Sequence, residues 1–188
     1  GTRLVHDIDD LLWKIPKDNQ NCHVVKKWLI DHMMKLLELA DCVTTSTIPL
    51  QSALETLGIK ATVLPNCLVF EEWKNLNPLR RVGSRPRVGW AGQVGVHRSD
   101  LRFLGSVFEE LGDEVEWVFL GEVPEDLRRT EVKSEVHHMV PLSQFPTKLA
   151  GLNLDLALAP LALNEFNEAK SDLRLLQYGI LGFPVVAT

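Results

Sequence analysis

Two stretches of this 188-residue chain gather residue types that handle anions. The first is Ala159-Pro160-Leu161-Ala162-Leu163-Asn164-Glu165-Phe166-Asn167-Glu168-Ala169-Lys170-Ser171, an apolar strand that runs through a polar loop into a helix. A helix start there offers unpaired backbone N–H groups and the positive end of a dipole, and Lys170 with Ser171 adds a cation and a hydroxyl. That set suits a phosphate; the plainer reading makes Asn167 the helix cap and Lys170 a solvated first-turn residue. The second is Gly89-Trp90-Ala91-Gly92-Gln93-Val94-Gly95-Val96-His97-Arg98. Gly92 and Gly95 let backbone approach a ligand closely, and His97 or Arg98 could face an anion. An ordinary strand-to-helix turn capped by Ser99 accounts for the same residues.

A third group, His6-Asp7-Ile8-Asp9-Asp10, is acidic. Asp7 and Asp9 have the D-x-D spacing of the nucleophile and Mg2+ site of haloacid dehalogenase-type phosphatases, or of a metal-sugar-phosphate motif. Against the phosphatase, Asp10 stands where that motif has a small residue, and no strongly apolar strand precedes it. Asp7, Asp9 and Asp10 are therefore read as a cleft-lining or helix-capping cluster, and no metal site is assigned. His137-His138 reads as a strand and its edge with no third ligand in reach. Trp28 and Trp117 are expected in the core, and Cys22, Cys42 and Cys67 as buried small hydrophobes in a reducing compartment.

The elements that must position these residues follow from periodicity. Short β-rich runs alternate with amphipathic runs, the pattern of a parallel α/β sheet. The expected order is strand 3–5, helix 24–40, strand 41–45, helix 49–57 and strand 61–64. After an irregular stretch come strand 87–90, helix 99–111, strand 116–120, a short helix near Glu125, strand 136–140, helix 143–149, strand 154–159, helix 167–181 and strand 184–188. Residues 1–70 then form the partial end of one Rossmann-like domain, 71–86 a linker, and 87–188 a doubly wound domain. With 45% hydrophobic and 24% charged residues the chain is globular in composition, and its formal charge of -5 argues against holding nucleic acid by bulk electrostatics. No apolar run approaches the roughly 20 residues of a membrane helix. The missing initiator Met and the stop at Thr188 after a strand suggest a fragment of a longer protein.

Taken together, these motifs resemble a family. Arg87-Val88-Gly89-Trp90-Ala91-Gly92 with His97 and Asp100-Leu101 is similar to the opening of the donor domain of GT-B glycosyltransferases of the group 1 type. So are Asp155 to Pro160, Phe166 to Ser171, Leu175-Leu176-Gln177-Tyr178 and Gly182 to Ala187, while Asp7 to Trp13, Ala40 to Thr47 and Val63 to Asn66 resemble the end of its acceptor domain.

The resemblance implies a two-lobed GT-B architecture whose parent protein moves a sugar from a nucleotide-diphosphate sugar to an acceptor, in polysaccharide or glycoconjugate synthesis, without a separate cofactor. It implies that Gly92, Gly95, His97, Arg98, Asn167, Lys170 and Ser171 surround the donor diphosphate and that Trp90 borders its base. Gln177 stands where the family has the glutamate that binds the ribose hydroxyls. No residue is assigned as catalytic, and this piece, lacking the start of the acceptor lobe, is not expected to turn over alone. A cytoplasmic location goes with the reading, with no nucleic acid partner, no transmembrane segment and room for peripheral membrane association of the parent. The alternatives are a non-catalytic nucleotide-binding GT-B module, which Gln177 permits, and the Mg2+-dependent phosphatase.

Overall fold

The computed structural model describes residues 1–79, 83 and 85–188. The basic cluster at Arg80 and Arg81, expected within the linker, lies outside the described residues. By contact density the chain divides into a smaller unit, residues 1–67 and 163–172, and a larger unit, residues 68–162 and 173–188. The boundary at 67 lies close to the one expected at 70, but the 163–172 segment leaves the second domain and joins the first.

In the smaller unit, β1 (Val5–Ile8), β2 (Cys42–Thr45) and β3 (Thr62–Val63) form a parallel sheet in that order. Helix α1 (Lys27–Leu39) packs Met33, Met34 and Leu37 against Ile8, Val43, Leu54 and Ile59. Helix α2 (Ile48–Glu55) starts at Thr47, whose hydroxyl oxygen accepts the Leu50 N–H at 3.2 Å. The same hydroxyl donates to the carbonyl of Ala169 at 2.7 Å. Phe166 and Ala169 complete a core with Leu11 and Leu50, so the 163–172 segment is a structural part of this unit.

In the larger unit a short helix, α3 (Phe70–Trp73), precedes five parallel strands. These are β4 (Arg87–Gly92), β5 (Glu116–Gly121), β6 (Ser134–His137), β7 (Leu156–Ala159) and β8 (Val185–Ala187), in the spatial order β6-β5-β4-β7-β8. The crossovers are α4 (Arg98–Leu101) with α5 (Gly105–Leu111), α6 (Glu125–Arg128), α7 (Phe145–Ala150), and α8 (Glu165–Glu168) followed by α9 (Leu173–Ile180). Side chains alternate along each strand, and both faces are covered. Ala91, Val118, Leu120, Ala157 and Ala159 pack with Trp73, Leu149 and Tyr178 on one face. On the other, Val88, Trp90, Trp117, Phe119 and Leu158 pack with Leu101, Phe108 and Leu127. This is a doubly wound, Rossmann-like α/β fold.

Several expectations need correction. Strand β1 starts at Val5, so His6, Asp7 and Ile8 are strand residues rather than a turn. Trp28 is 60% exposed and lies edge-on to His32, because α1 carries more apolar residues than one face can bury. Cys42 and Cys67 are exposed. The 99–111 helix is interrupted by a tight turn at Arg102–Leu104 before Gly105, and the 136–140 strand ends at His137. The 167–181 helix is two helices separated at residues 169–172.

Candidate functional site

The larger sheet reverses its winding between β4 and β7, since β5 and β6 lie on one side of β4 and β7 with β8 on the other. In open α/β sheets ligands bind at the carboxyl ends of the strands that flank such a reversal. The local register sets what lies at that end of the sheet. β4 and β7 pair only at Val88 with Leu156 and Gly89 with Ala157, whereas β4 follows β5 as far as Gly92. The Arg87 carbonyl accepts the Asp155 N–H, so odd-numbered peptide groups of β4 face β7, and Ala91 is left beyond the end of the ladder. Buried peptide groups need partners. Helix α9 supplies them: the Ala91 N–H donates to the Tyr178 hydroxyl at 3.2 Å, and Arg174 Nη1 donates to the Ala91 carbonyl. Burial pushes the Tyr178 phenol above its ordinary value, so it stays protonated.

The loop after β4 is built on Trp90, 1% exposed. A Cβ at Gly92 would lie 2.6 Å from the Trp90 ring, so that position is restricted to glycine. The His97 ring stands edge-on to Trp90 at 5.9 Å between centroids, and the Arg174 guanidinium lies 5.6 Å from the same indole. Two basic side chains therefore share one aromatic ring. His97 Nδ1 is 2.7 Å from Asp100 Oδ2, and as an ionised carboxylate only accepts, Nδ1 carries the proton. The other oxygen of Asp100 accepts the Ala162 N–H at 2.8 Å, from the segment that leaves β7. Gly95 lies in the turn Val94–Val96, held by the Val94 N–H donating to Glu122 Oε2 at 2.7 Å. Arg98 points to Glu125, 2.9 Å away, with both side chains half exposed.

Asn167, Lys170 and Ser171 belong to the smaller unit. Asn164, not Asn167, caps the helix there: its side chain accepts the Asn167 N–H at 2.9 Å, and Asn167 is buried within α8. Lys170 follows α8 rather than opening a long helix, and its ammonium lies 4.8 Å from the Phe166 ring centroid. Ser171 Oγ accepts the Asn66 amide at 2.9 Å, just beyond the carboxyl end of β3. The acidic residues do not form one turn. Asp7 Oδ1 accepts the hydroxyl of Thr44, its register partner in β2, at 2.5 Å, while the Asp9 carbonyl accepts from Ser46 at 3.4 Å. Among the described residues no three His, Cys, Asp or Glu side chains are grouped to hold a metal ion.

Gln177 is half-buried on α9 in the larger unit. A shared helical face for Lys170 and Gln177 does not exist, because the chain is not helical at residues 169–172. Arg174, Tyr178 and the role of Asp100 escaped sequence reading. For Asp100 the signal was present, since an acidic residue three positions after a histidine at a helix start can turn back onto it.

No family model matches this chain, and no curated protein sequence matches it. Among the described residues no helix is long and apolar enough to cross a membrane.

Proposed function

We propose that the chain is the donor-binding lobe and adjoining acceptor-side segment of a GT-B glycosyltransferase using a nucleotide-diphosphate sugar. The observation that carries this reading is the winding reversal between β4 and β7, with a glycine-restricted loop after β4 and with His97 and Arg174 against Trp90. Sugar transfer breaks the anomeric C–O bond and leaves negative charge on the departing diphosphate. Fixed cations and N–H donors lower the barrier by stabilising that charge, the more so where water is excluded. Lys170 and Ser171 are carried by the sequence resemblance as further diphosphate contacts and Gln177 as the ribose contact. A cytoplasmic location goes with this activity.

Calorimetry of the chain with uridine, guanosine and adenosine diphosphates, with and without EDTA, tests it. At least one should bind, and EDTA should leave the affinity unchanged. Lys170→Ala and Ser171→Ala should weaken the diphosphate while leaving the free nucleoside alone. Absence of binding to all three defeats the reading. Phosphatase activity that needs Mg2+ and disappears in Asp7→Asn selects the phosphatase instead. Tight binding without donor hydrolysis or transfer by the parent protein selects the non-catalytic module.

A further inference from the structure

At the outer edge of the larger sheet a carboxylate, an imidazole and an amine stand in line. Glu135 and His137 lie on β6, the edge strand two places from β4, and Lys148 lies on α7. His137 Nε2 is 2.6 Å from Glu135 Oε1, and Lys148 Nζ is 2.8 Å from His137 Nδ1. The other oxygen of Glu135 accepts from Arg87 at 2.9 Å, an ion pair that keeps the carboxyl ionised. An ionised carboxylate only accepts, so Nε2 carries the imidazole proton and the Nδ1 lone pair accepts from Lys148. Lys148 also lines a surface cavity of about 390 Å³, with Val140, Ser143, Gln144, Thr147 and Gly151. A nucleophile within reach of a base that a third group orients is the arrangement of covalent catalysis, here with an amine in the nucleophile's place. None of these groups takes part in the site proposed above, and the arrangement does not depend on that reading.

We propose that Lys148 is a modification site, acylated by an acyl phosphate that enters this cavity, with His137 as the base. One ammonium proton of Lys148 passes to His137 Nδ1, and the freed lone pair forms a bond to the acyl carbon. The bond from that carbon to the phosphate oxygen breaks, and the phosphate leaves with the electron pair and takes the second proton from the nitrogen. His137 then releases its proton to water. Nothing is oxidised or reduced, and the products are an amide on Nζ and inorganic phosphate. An acyl phosphate suits the lining: Ser143, Thr147 and Gln144 bring hydroxyl and amide donors for phosphate oxygens, and Val140 brings apolar surface for a short acyl chain.

The test incubates the full chain with acetyl phosphate at neutral pH. Peptide mass spectrometry then follows the rate of acetylation at Lys148 and, in the same sample, at the exposed Lys60 and Lys133. A positioned base is worth about a hundredfold or more, so Lys148, although half-buried, should outpace both by about tenfold or more. His137→Gln keeps an oxygen that can accept from the ammonium but has no basic nitrogen. It should bring Lys148 down to the rate of the other two lysines and leave theirs unchanged. Acetylation of Lys148 no faster than that of Lys60 and Lys133 in the parent overturns the proposal, and that comparison needs no variant. An unchanged Lys148 rate in His137→Gln overturns it as well. If His137→Gln does not fold, His137→Asn takes its place with the same two outcomes.

Discussion

Asp100 and Ala162 lie 62 positions apart in sequence, yet the buried carboxylate of one accepts the backbone N–H of the other at 2.8 Å. Because the second oxygen of Asp100 holds His97, a single side chain ties the loop after β4 to the segment after β7 across the sheet reversal.

Replacing that carboxylate separates two effects. Asp100→Ala leaves the Ala162 N–H and the His97 Nδ1–H without their acceptor, which should cost about 1–3 kcal/mol in denaturant unfolding. Asp100→Asn keeps an acceptor for Ala162 but turns an amide toward His97, so the imidazole proton should move from Nδ1 to Nε2. Ring 15N shifts of His97 report the tautomer, and an unchanged Nδ1–H in Asp100→Asn would contradict the contact.

The ion-pair cluster beneath the sheet gives a pH dependence. The Arg87 guanidinium hydrogen-bonded to Glu135 holds that carboxyl below its usual range, with His137 assisting. A carboxyl lowered in the folded state stabilises the protein above its unfolded value and loses that contribution as pH falls through the folded one. Stability measured below about pH 5 should therefore drop more steeply in the parent than in Glu135→Gln. Parallel curves would show that the pair contributes nothing.

Gly121 closes β5 at φ +113°, and a Cβ there would lie 2.2 Å from the Gly92 carbonyl oxygen. Gly121→Ala combines backbone strain with a backbone clash and should cost about 2–4 kcal/mol. Gly112, at φ +42° with nothing within 4 Å, is the control. Its alanine variant meets backbone strain without a clash and should lose less, about 1–3 kcal/mol, in the same denaturant titration.

The Asn66–Ser171 hydrogen bond predicts non-additivity. In a double-mutant cycle of Asn66→Ala and Ser171→Ala, the coupling should be about 0.5–1.5 kcal/mol. Additive losses would mean that the 2.9 Å contact is not maintained in solution.

How far the sequence foretold this molecule depended on whether local pattern or distant contact decided each element. The central strands were legible because Val88, Trp90, Trp117, Val118, Phe119 and Leu120 are apolar on both faces, as a covered parallel sheet requires. The helix break at residues 169–172 was not. Residues 167–181 have helical spacing throughout, and the hydroxyl of Ser171 meets Asn66, a partner 105 residues away. The phase of α1 was ambiguous because Trp28, Leu29, Met33, Met34, Leu36 and Leu37 ring the helix, and only the sheet beneath selects Met33, Met34 and Leu37. The contacts of Arg174 and Tyr178 with Ala91 were not legible either, because they depend on the β4–β7 pairing ending at Gly89.

The chain passes from the smaller unit to the larger at residue 68, returns at 163 and leaves again at 173. During synthesis, therefore, the first 67 residues emerge without Phe166 and Ala169, the side chains that fill the core beside Leu11 and Leu50. The hydroxyl of Thr47 must wait 122 residues for the Ala169 carbonyl. Closing so long a loop is entropically costly and slow compared with local pairing. The smaller unit thus reaches its final packing only after most of the larger unit's strands have been made, and a nascent chain arrested before residue 172 would expose an apolar seam for chaperones to cover.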